Sequence, residues 1–429
     1  MNINFYASVI LLIFYSFTFA QQTDWKVYNT SNSNLPVDQT HTIYIDEQNI
    51  KWIGTSSGLV KYDDSSWNIY DTTNSNLPSN YITCVESDGN NGIWIGTDKG
   101  LAHHNNDKWD VYTTENSVLK SNSISKIKFG GDATWFGTDK GLIKYQNDEW
   151  SIYDSDNSGF VADFVCSITI DQGGKIWIGT FDHFSFNGSL WTFDGSRWKY
   201  FRLKNHGLFS SFPDAIDCDS NNQIWLGIKG TNGGALVKIA NDEWTIYDKN
   251  NSDYPGSGIS SLIAENAEKW IASGSGLILF KNGIWNKFDK NNSGLPDDFV
   301  SDIAIDKFGN KWVATIGGGL AVYNMGGIIS SSKNDDENIP NDFKLFTNYP
   351  NPFNPETVIS YSIPVASYVQ LKIYDVLGNE ITTLVNEYQR PGKYSVEFRV
   401  KSDELSSGIY FYKLNADSFT EIKKMILIK

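Results

Sequence analysis

The sequence predicts an all-β chain, and three observations carry that prediction. Tryptophan recurs in two offset series along most of the chain. Gly, Asn and Asp cluster between short alternating segments in unit after unit. No long helical period appears, while aromatic residues reach 14%, a composition that suits sheet interiors. At 429 residues the chain is also too long for one ordinary core, so it requires several domains or a repeat array.

The first series is Trp52, Trp94, Trp135, Trp177, Trp225, Trp270 and Trp312, at intervals of 41 to 48 residues. The second, in which Tyr or Phe follows three residues later, begins at Trp25, Trp67, Trp109, Trp150, Trp198, Trp244 and Trp285. Within one unit, YITCVESD (81–88), IWIGT (93–97), GLAHH (100–104) and KWDVY (108–112) read as four short strands joined by hairpin turns. Four strands in ~40 to 45 residues is the period of a propeller blade. Recurrence of the Trp and Tyr positions in every unit marks them as packing between blades. Trp25–Tyr28 is a fourth strand without its first three, and residues 300–323 supply three strands without a fourth. Joining the halves completes a seventh blade and removes a free sheet edge. The predicted fold over residues 21–324 is therefore a seven-bladed β-propeller closed by its N-terminal strand.

KWIGTSSGLVKY, GIWIGTDKGLAHH and KIWIGT resemble the regulator-propeller repeats of two-component sensors and related secreted proteins. The resemblance implies a propeller, and in that family such propellers are periplasmic sensor parts of membrane kinases that often respond to glycans. No segment here reads as a kinase or a later membrane helix, so the sensor role is not expected to carry over.

Ahead of the repeats, Phe5 to Phe19 is an uncharged apolar run of fifteen residues, short of the ~20 needed to span a bilayer. With Thr18 and Ala20 at small-residue cleavage positions, residues 1–20 read as a signal peptide, although no Lys or Arg precedes the run. No Cys lies near Ala20 to indicate a lipid anchor. An exported mature chain without a transmembrane segment is the expectation. Its net charge is -15, and residues 343–429 hold 10 basic and 9 acidic side chains, which leaves -16 upstream. A surface that acidic repels phosphate backbones, so nucleic acid is not an expected partner. Cys84, Cys166 and Cys218 are odd in number and widely spaced, each inside a strand, and read as small core residues.

A ligand needs asymmetry, so candidate sites are sought where the repeat breaks. FDHFSFNG (181–188) lengthens the turn after WIGT and is expected to place Phe181, His183, Phe184 and Phe186 in a loop. NHGLFSSFPD (205–214) adds His206, Phe209 and Phe212 after the next fourth strand. Both loops leave the same face of a propeller, where their rings would offer stacking area to a sugar or peptide unless the loop packs on its own blade. GIKGTNGGAL (227–236) borders this region with Lys229 and Asn232. Trp191, by contrast, aligns with Val60, Ala102 and Ile143 and reads as a buried strand position. Alternation along the first strands directs Thr42, Tyr44, Cys84, Glu86, Lys126, Lys128, Ser167, Thr169, Ala215, Asp217 and Asp302 toward a central channel. There Glu86 and Asp217 would hold a cation or pair with Lys126 and Lys128, or the charges would simply be solvated.

Asp46, Asp88, Asp171, Asp219 and Asp306 each stand six residues before a Trp and are expected to cap their turns. No second carboxylate at fixed spacing makes a calcium site of them. His103 and His104 adjoin on a strand and face opposite sides, so they do not share a zinc. No catalytic, metal or cofactor residue is assigned.

After Tyr323 the repeat stops. Residues 325–342 are polar and turn-rich and read as a linker. TVISYSI (357–363), YVQLKIYDVLG (368–378), GKYSVEFRV (392–400), GIYFYKLNA (408–416) and KKMILIK (423–429) alternate as strands of a small Ig-like β-sandwich over 343–429, with the Pro-rich YPNPFNP as a stiff extended lead-in. This segment closely resembles the type A C-terminal sorting domain of the type IX secretion system, through YPNPFNPET, LKIYDVLGNEI, LSSGIYFYKL and the terminal KKMILIK. Asp417 stands where that family commonly has Gly. The resemblance implies the type IX machinery as a partner and transit across the outer membrane of a Gram-negative bacterium, then removal of the domain with release or attachment at the surface. The functional expectation is a secreted or surface-displayed propeller that binds a glycan or protein. A polysaccharide or peptide lyase or hydrolase is the alternative, and a structural surface-layer component the third.

Overall fold

The computed structural model describes residues 24–161, 164–182, 187–209, 211–230, 233–265, 267–324, 340, 342–389, 391–400, 405–417 and 419–428. Among them, seven four-stranded antiparallel sheets lie between Trp25 and Tyr323. Six are meanders in chain order. The seventh takes Val300–Ile305, Lys311–Thr315 and Leu320–Tyr323 from the end of the array and Trp25–Tyr28 from its start. Trp25 pairs with Tyr323, Lys26 with Val322, Val27 with Ala321 and Tyr28 with Leu320.

The recurring turns explain the recurring letters. Asn106–Asp107, Asn147–Asp148 and Asn241–Asp242 hold positive φ at both residues. That is the two-residue hairpin geometry whose twist matches the flanking strands, and Asn and Asp tolerate it. The glycine three residues after WIGT is equally constrained. Gly58, Gly100, Gly141 and Gly276 have φ between 117° and 143°, and a Cβ on any of them would stand 2.3 to 2.9 Å from the carbonyl oxygen that closes the fourth strand.

The turn aspartates do more than cap. Asp46, Asp171, Asp219 and Asp306 each accept backbone N–H bonds on one oxygen and, on the other, the indole N–H of the Trp six residues on, at 2.9 to 3.0 Å. One carboxylate thus fixes a turn and aims a core ring. In the second sheet Asp88 instead accepts from His103 Nε2 at 2.8 Å and Asn105 Nδ2 at 3.1 Å, and His103 stacks on Trp94. His104, on the opposite side, lies among Trp52, Tyr70 and Trp109.

Burial lowers the His104 imidazole below its ordinary 6.5, and His41 and His206 move the same way for the same reason. The folded state then binds fewer protons than the unfolded chain, so this share of stability is complete above the unfolded value and shrinks as pH falls through it. These imidazoles are expected to pull the unfolding midpoint down between pH about 7 and about 5, so His104→Phe should lose less stability than the parent over that range. A variant with the unaltered slope would contradict this.

Packing between sheets follows one rule around the array. Seven buried clusters are each shared by two sheets, and the first-series Trp of six sheets and of the seventh enters a cluster facing a neighbour. One cluster joins Ile43, Ile53 and Val60 of the first sheet to Trp312, Leu320 and Val322 of the seventh. Hydroxyls tie successive first strands: Thr83 Oγ1 to Ile124 O, Ser125 Oγ to Val165 O, Ser260 Oγ to Val300 O, and Ser301 Oγ to Thr40 O, at 2.6 to 2.8 Å. Lys51, ion-paired with Asp64, also lies 4.8 Å over the Trp312 ring.

In the tail, Lys344–Leu345, Glu356–Ile363 and Gly392–Arg399 form one sheet. Glu380–Gln389, Ser367–Tyr374, Gly408–Ala416 and Phe419–Leu427 form the other. Both share a core that includes Ile359, Tyr361, Leu371, Tyr412, Leu414 and Met425. Three readings need correction. Glu380–Gln389 is a strand the sequence reading missed: it is an edge with exposed, half-buried and buried residues mixed, and two register shifts against its partner blur its alternation. The strand expected over 368–378 ends at Tyr374, because Asp375 accepts from Leu377 N and Asn379 N and turns the chain. The Pro-rich segment is not an extended lead-in either. It runs through bends, with Phe353 buried and its N–H donated to Ile426 O.

Candidate functional site

The fourth sheet carries the break in the repeat. Its second and third strands run past the usual turn, as Ile176–Asp182 and Asn187–Phe193, with Phe181 paired to Gly188 and Asp182 to Asn187. Phe181 is therefore a strand residue and not a loop residue, because the ladder continues through Asp182. His183, Phe184 and Phe186 lie outside the described residues, as does Asn232. Gly188 is required where it stands: a Cβ there would meet Ser211 O at 2.4 Å and Phe212 Cα at 2.5 Å.

That close approach brings two of the sequence breaks together. The Phe181 and Phe212 rings are 4.7 Å apart, and Lys229, register partner of Phe212, holds its Nζ 6.0 Å from the Phe212 ring and 3.6 Å from Asp214. Phe212 and Lys229 are likewise on strands. His206 closes a one-turn helix, Leu203–His206, and lies flat on Trp244 with centroids 3.9 Å apart, while Phe209 is 60% exposed.

Beside Phe181 opens a cleft of about 510 Å³, lined by Val161, Asp182, Asn187, Trp191, Tyr200 and Arg202 among others. Trp191 and Tyr200 stand ring to ring at 4.5 Å, Ser189 Oγ donates to Tyr200 OH at 3.1 Å, and the Arg202 guanidinium carbon lies 5.7 Å over the Tyr200 ring. Tyr200 is 43% exposed. Trp191 is buried as its alignment implies, yet its Nε1–H has no acceptor among the described residues. A buried donor left unpaired costs about 1–3 kcal/mol. The sequence reading missed Tyr200 and Arg202. The available signal was Trp191 itself, the one tryptophan of fifteen outside both series.

Four of the first-strand charges, Glu86, Lys128, Asp217 and Asp302, are tied to partners, while Lys126 makes no ion pair among the described residues. Glu86 lies 3.6 Å from Lys128, Asp217 accepts from Ala264 N at 2.8 Å, and Asp302 accepts from Thr42 Oγ1 and Ile43 N. Burial raises the Glu86, Asp214 and Asp217 carboxyls above their ordinary range, with Lys128 opposing at Glu86 and Lys126 opposing at Asp214. Cys84 and Ala215, which alternation directed to the axis, sit instead in the cores between sheets, because residues of an inner strand face the two flanking sheets. All three cysteines are free, and burial pushes the Cys84 and Cys218 thiols up to about 11. Unreactive thiols follow.

Residues 347–429 match the family of the secretion system C-terminal sorting domain, and residues 76–99 match the two component regulator propeller. The two matches thus fall in different parts of the chain, one within the repeats and one over the tail. No curated protein matches it. Among solved structures, the chain is similar to the extracellular domain assigned to the one component system BT4673 of B. thetaiotaomicron, at 19% identity and TM-score 0.57, covering 79% of this chain and 46% of that one. It is also similar to PorZ, a surface component of the type-IX secretion system of Porphyromonas gingivalis, at 14% identity and TM-score 0.56, over 92% and 60%. Virginiamycin B lyase from Staphylococcus aureus matches at 13% identity and TM-score 0.56, over 70% and 99%. These likenesses are of fold. The chain spans about half the length of the first of them. Among the described residues no helix is long and apolar enough to cross a membrane.

Proposed function

We propose that this is an exported propeller that binds a glycan at the cleft between Phe181 and Arg202. Residues 1–20 act as signal peptide, 21–324 form a closed ring of seven blades, 325–342 link, and 343–429 form an Ig-like sorting sandwich handled by the type IX machinery. The destination is the outer-membrane surface, or the exterior, of a Gram-negative bacterium. Support for export comes from the sorting-domain match and from the fold shared with PorZ. Support for ring closure comes from the core shared by the first and seventh sheets.

The observation that carries the binding reading is the exposed Tyr200 ring set against Trp191 in a cleft with a polar rim. An aromatic face with hydrogen-bonding groups around it suits the alternating apolar and hydroxylated surface of a sugar ring. The test is a glycan array probed with the full chain and with Tyr200→Ala. Loss of about 0.5–1.5 kcal/mol of stacking lowers affinity about two- to twelvefold in a variant that still folds. Equal binding by the variant would overturn the reading. Product release in the same assay would move it to catalysis.

A further inference from the structure

We infer that the glycan taken by this cleft is anionic, bearing a carboxylate or sulfate group that Arg202 and Lys204 receive. This rests on the binding reading above and narrows it. The chain has only four arginines, Arg197, Arg202, Arg390 and Arg399, so two of them fall in the propeller region and one of these lines the cleft. Lys204 lines it too. Neither makes an ion pair among the described residues, whereas Lys199 nearby is engaged with Asp242 at 3.2 Å. Asp182 is the one carboxylate among the lining residues. Two cations against one carboxylate make the cleft locally positive in a chain whose residues upstream of 343 sum to -16.

Trp191 adds an independent observation. It is 8% exposed, lines the same cleft, and its Nε1–H has no acceptor among the described residues. The lining is thus rich in unpaired donors: the guanidinium fork of Arg202, the Lys204 ammonium and this indole. Oxyanions are the groups that satisfy such a set, and a guanidinium fork fits carboxylate or sulfate oxygens through paired N–H bonds. The Tyr200 ring beneath Arg202 would hold the sugar ring while the cations hold its charge.

The experiment titrates the full chain with oligogalacturonate, a sulfated carrageenan oligosaccharide and a neutral cello-oligosaccharide. At least one acidic probe should bind about tenfold or more tighter than the neutral one. That margin should shrink with added salt as screening grows. The pair Arg202→Gln with Lys204→Gln should reduce the acidic probe to the neutral level, while Arg202→Lys retains part of the preference. The stronger acidic probe identifies the source of the charge. A neutral probe that binds as tightly as both acidic ones, or a Gln pair without effect on acidic binding, would overturn this inference and leave the glycan reading standing. Failure of all saccharides to bind, with the thermal unfolding profile intact, would remove both.

Discussion

Asp219→Ala is expected to lower the unfolding free energy by about 3–5 kcal/mol, the cost of breaking a buried ion pair by deleting one partner. Asp219 accepts from Asn221 N and Gln223 N on one oxygen, and from Trp225 Nε1 at 2.9 Å on the other. Lys269, from the adjacent sheet, stands 3.5 Å away, and both side chains are almost fully buried. Alanine at this position takes the Asp219 carboxylate away from the Lys269 ammonium and from the Trp225 indole N–H. Burial already holds the Lys269 ammonium below its ordinary value, which marks how poorly that site tolerates charge. Lys269→Met on top of Asp219→Ala should recover part of the loss, because it removes the buried cation that Asp219 faced. Chemical denaturation of the three variants checks this as a double-mutant cycle. An Asp219→Ala loss below about 1 kcal/mol would contradict the account.

Removing the strand Trp25–Tyr28 should have the largest effect on architecture. That strand pairs along Leu320–Tyr323, places Trp25 4.7 Å from the Tyr323 ring and stacks Tyr28 on Trp312. Deleting it takes away two half-buried aromatic rings, each contributing less than the about 3–5 kcal/mol of a fully buried one, and uncovers a sheet edge. Since whole domains are stable by only about 5–15 kcal/mol, the shortened chain should melt far lower or unfold. Whatever stays folded should self-associate through Leu320–Tyr323. Size-exclusion chromatography with thermal unfolding checks both. A monomer with the parent melting temperature would argue against closure.

The repeat was readable because the same physical need recurs in each unit. Gly after WIGT avoids a carbonyl, Asn–Asp takes the positive φ of a tight turn, and Trp fills a space between sheets. The turn aspartates were legible as caps, while their indole bonds were not, since nothing in a spacing of six states that a side chain folds back onto its own strand. Inner-strand alternation misled at Cys84 and Ala215, because period two was read as core against axis when both sides are walled by neighbouring sheets. The candidate site was legible as a place and not as a shape. The breaks at 181–188 and 205–214 do meet, through Phe181 and Phe212, but continuation of the ladder to Asp182 put these residues on strands. Tyr200 and Arg202 look ordinary in WKYFR. They become cleft residues only because the neighbouring hairpin is long.

Closure of the array by its first strand is the claim on which the rest depends, and a cysteine pair at positions 26 and 322 tests it most directly. Lys26 and Val322 are direct cross-strand partners, and antiparallel partners sit about 4.5–5.5 Å apart at Cα, within reach of a disulfide. The native cysteines are buried or half-buried and do not compete readily. The account predicts that Lys26→Cys with Val322→Cys forms an intramolecular disulfide in the folded full chain, joining the peptides that carry residues 26 and 322. Two free thiols under oxidising conditions, in a chain that unfolds as the parent does, would contradict it.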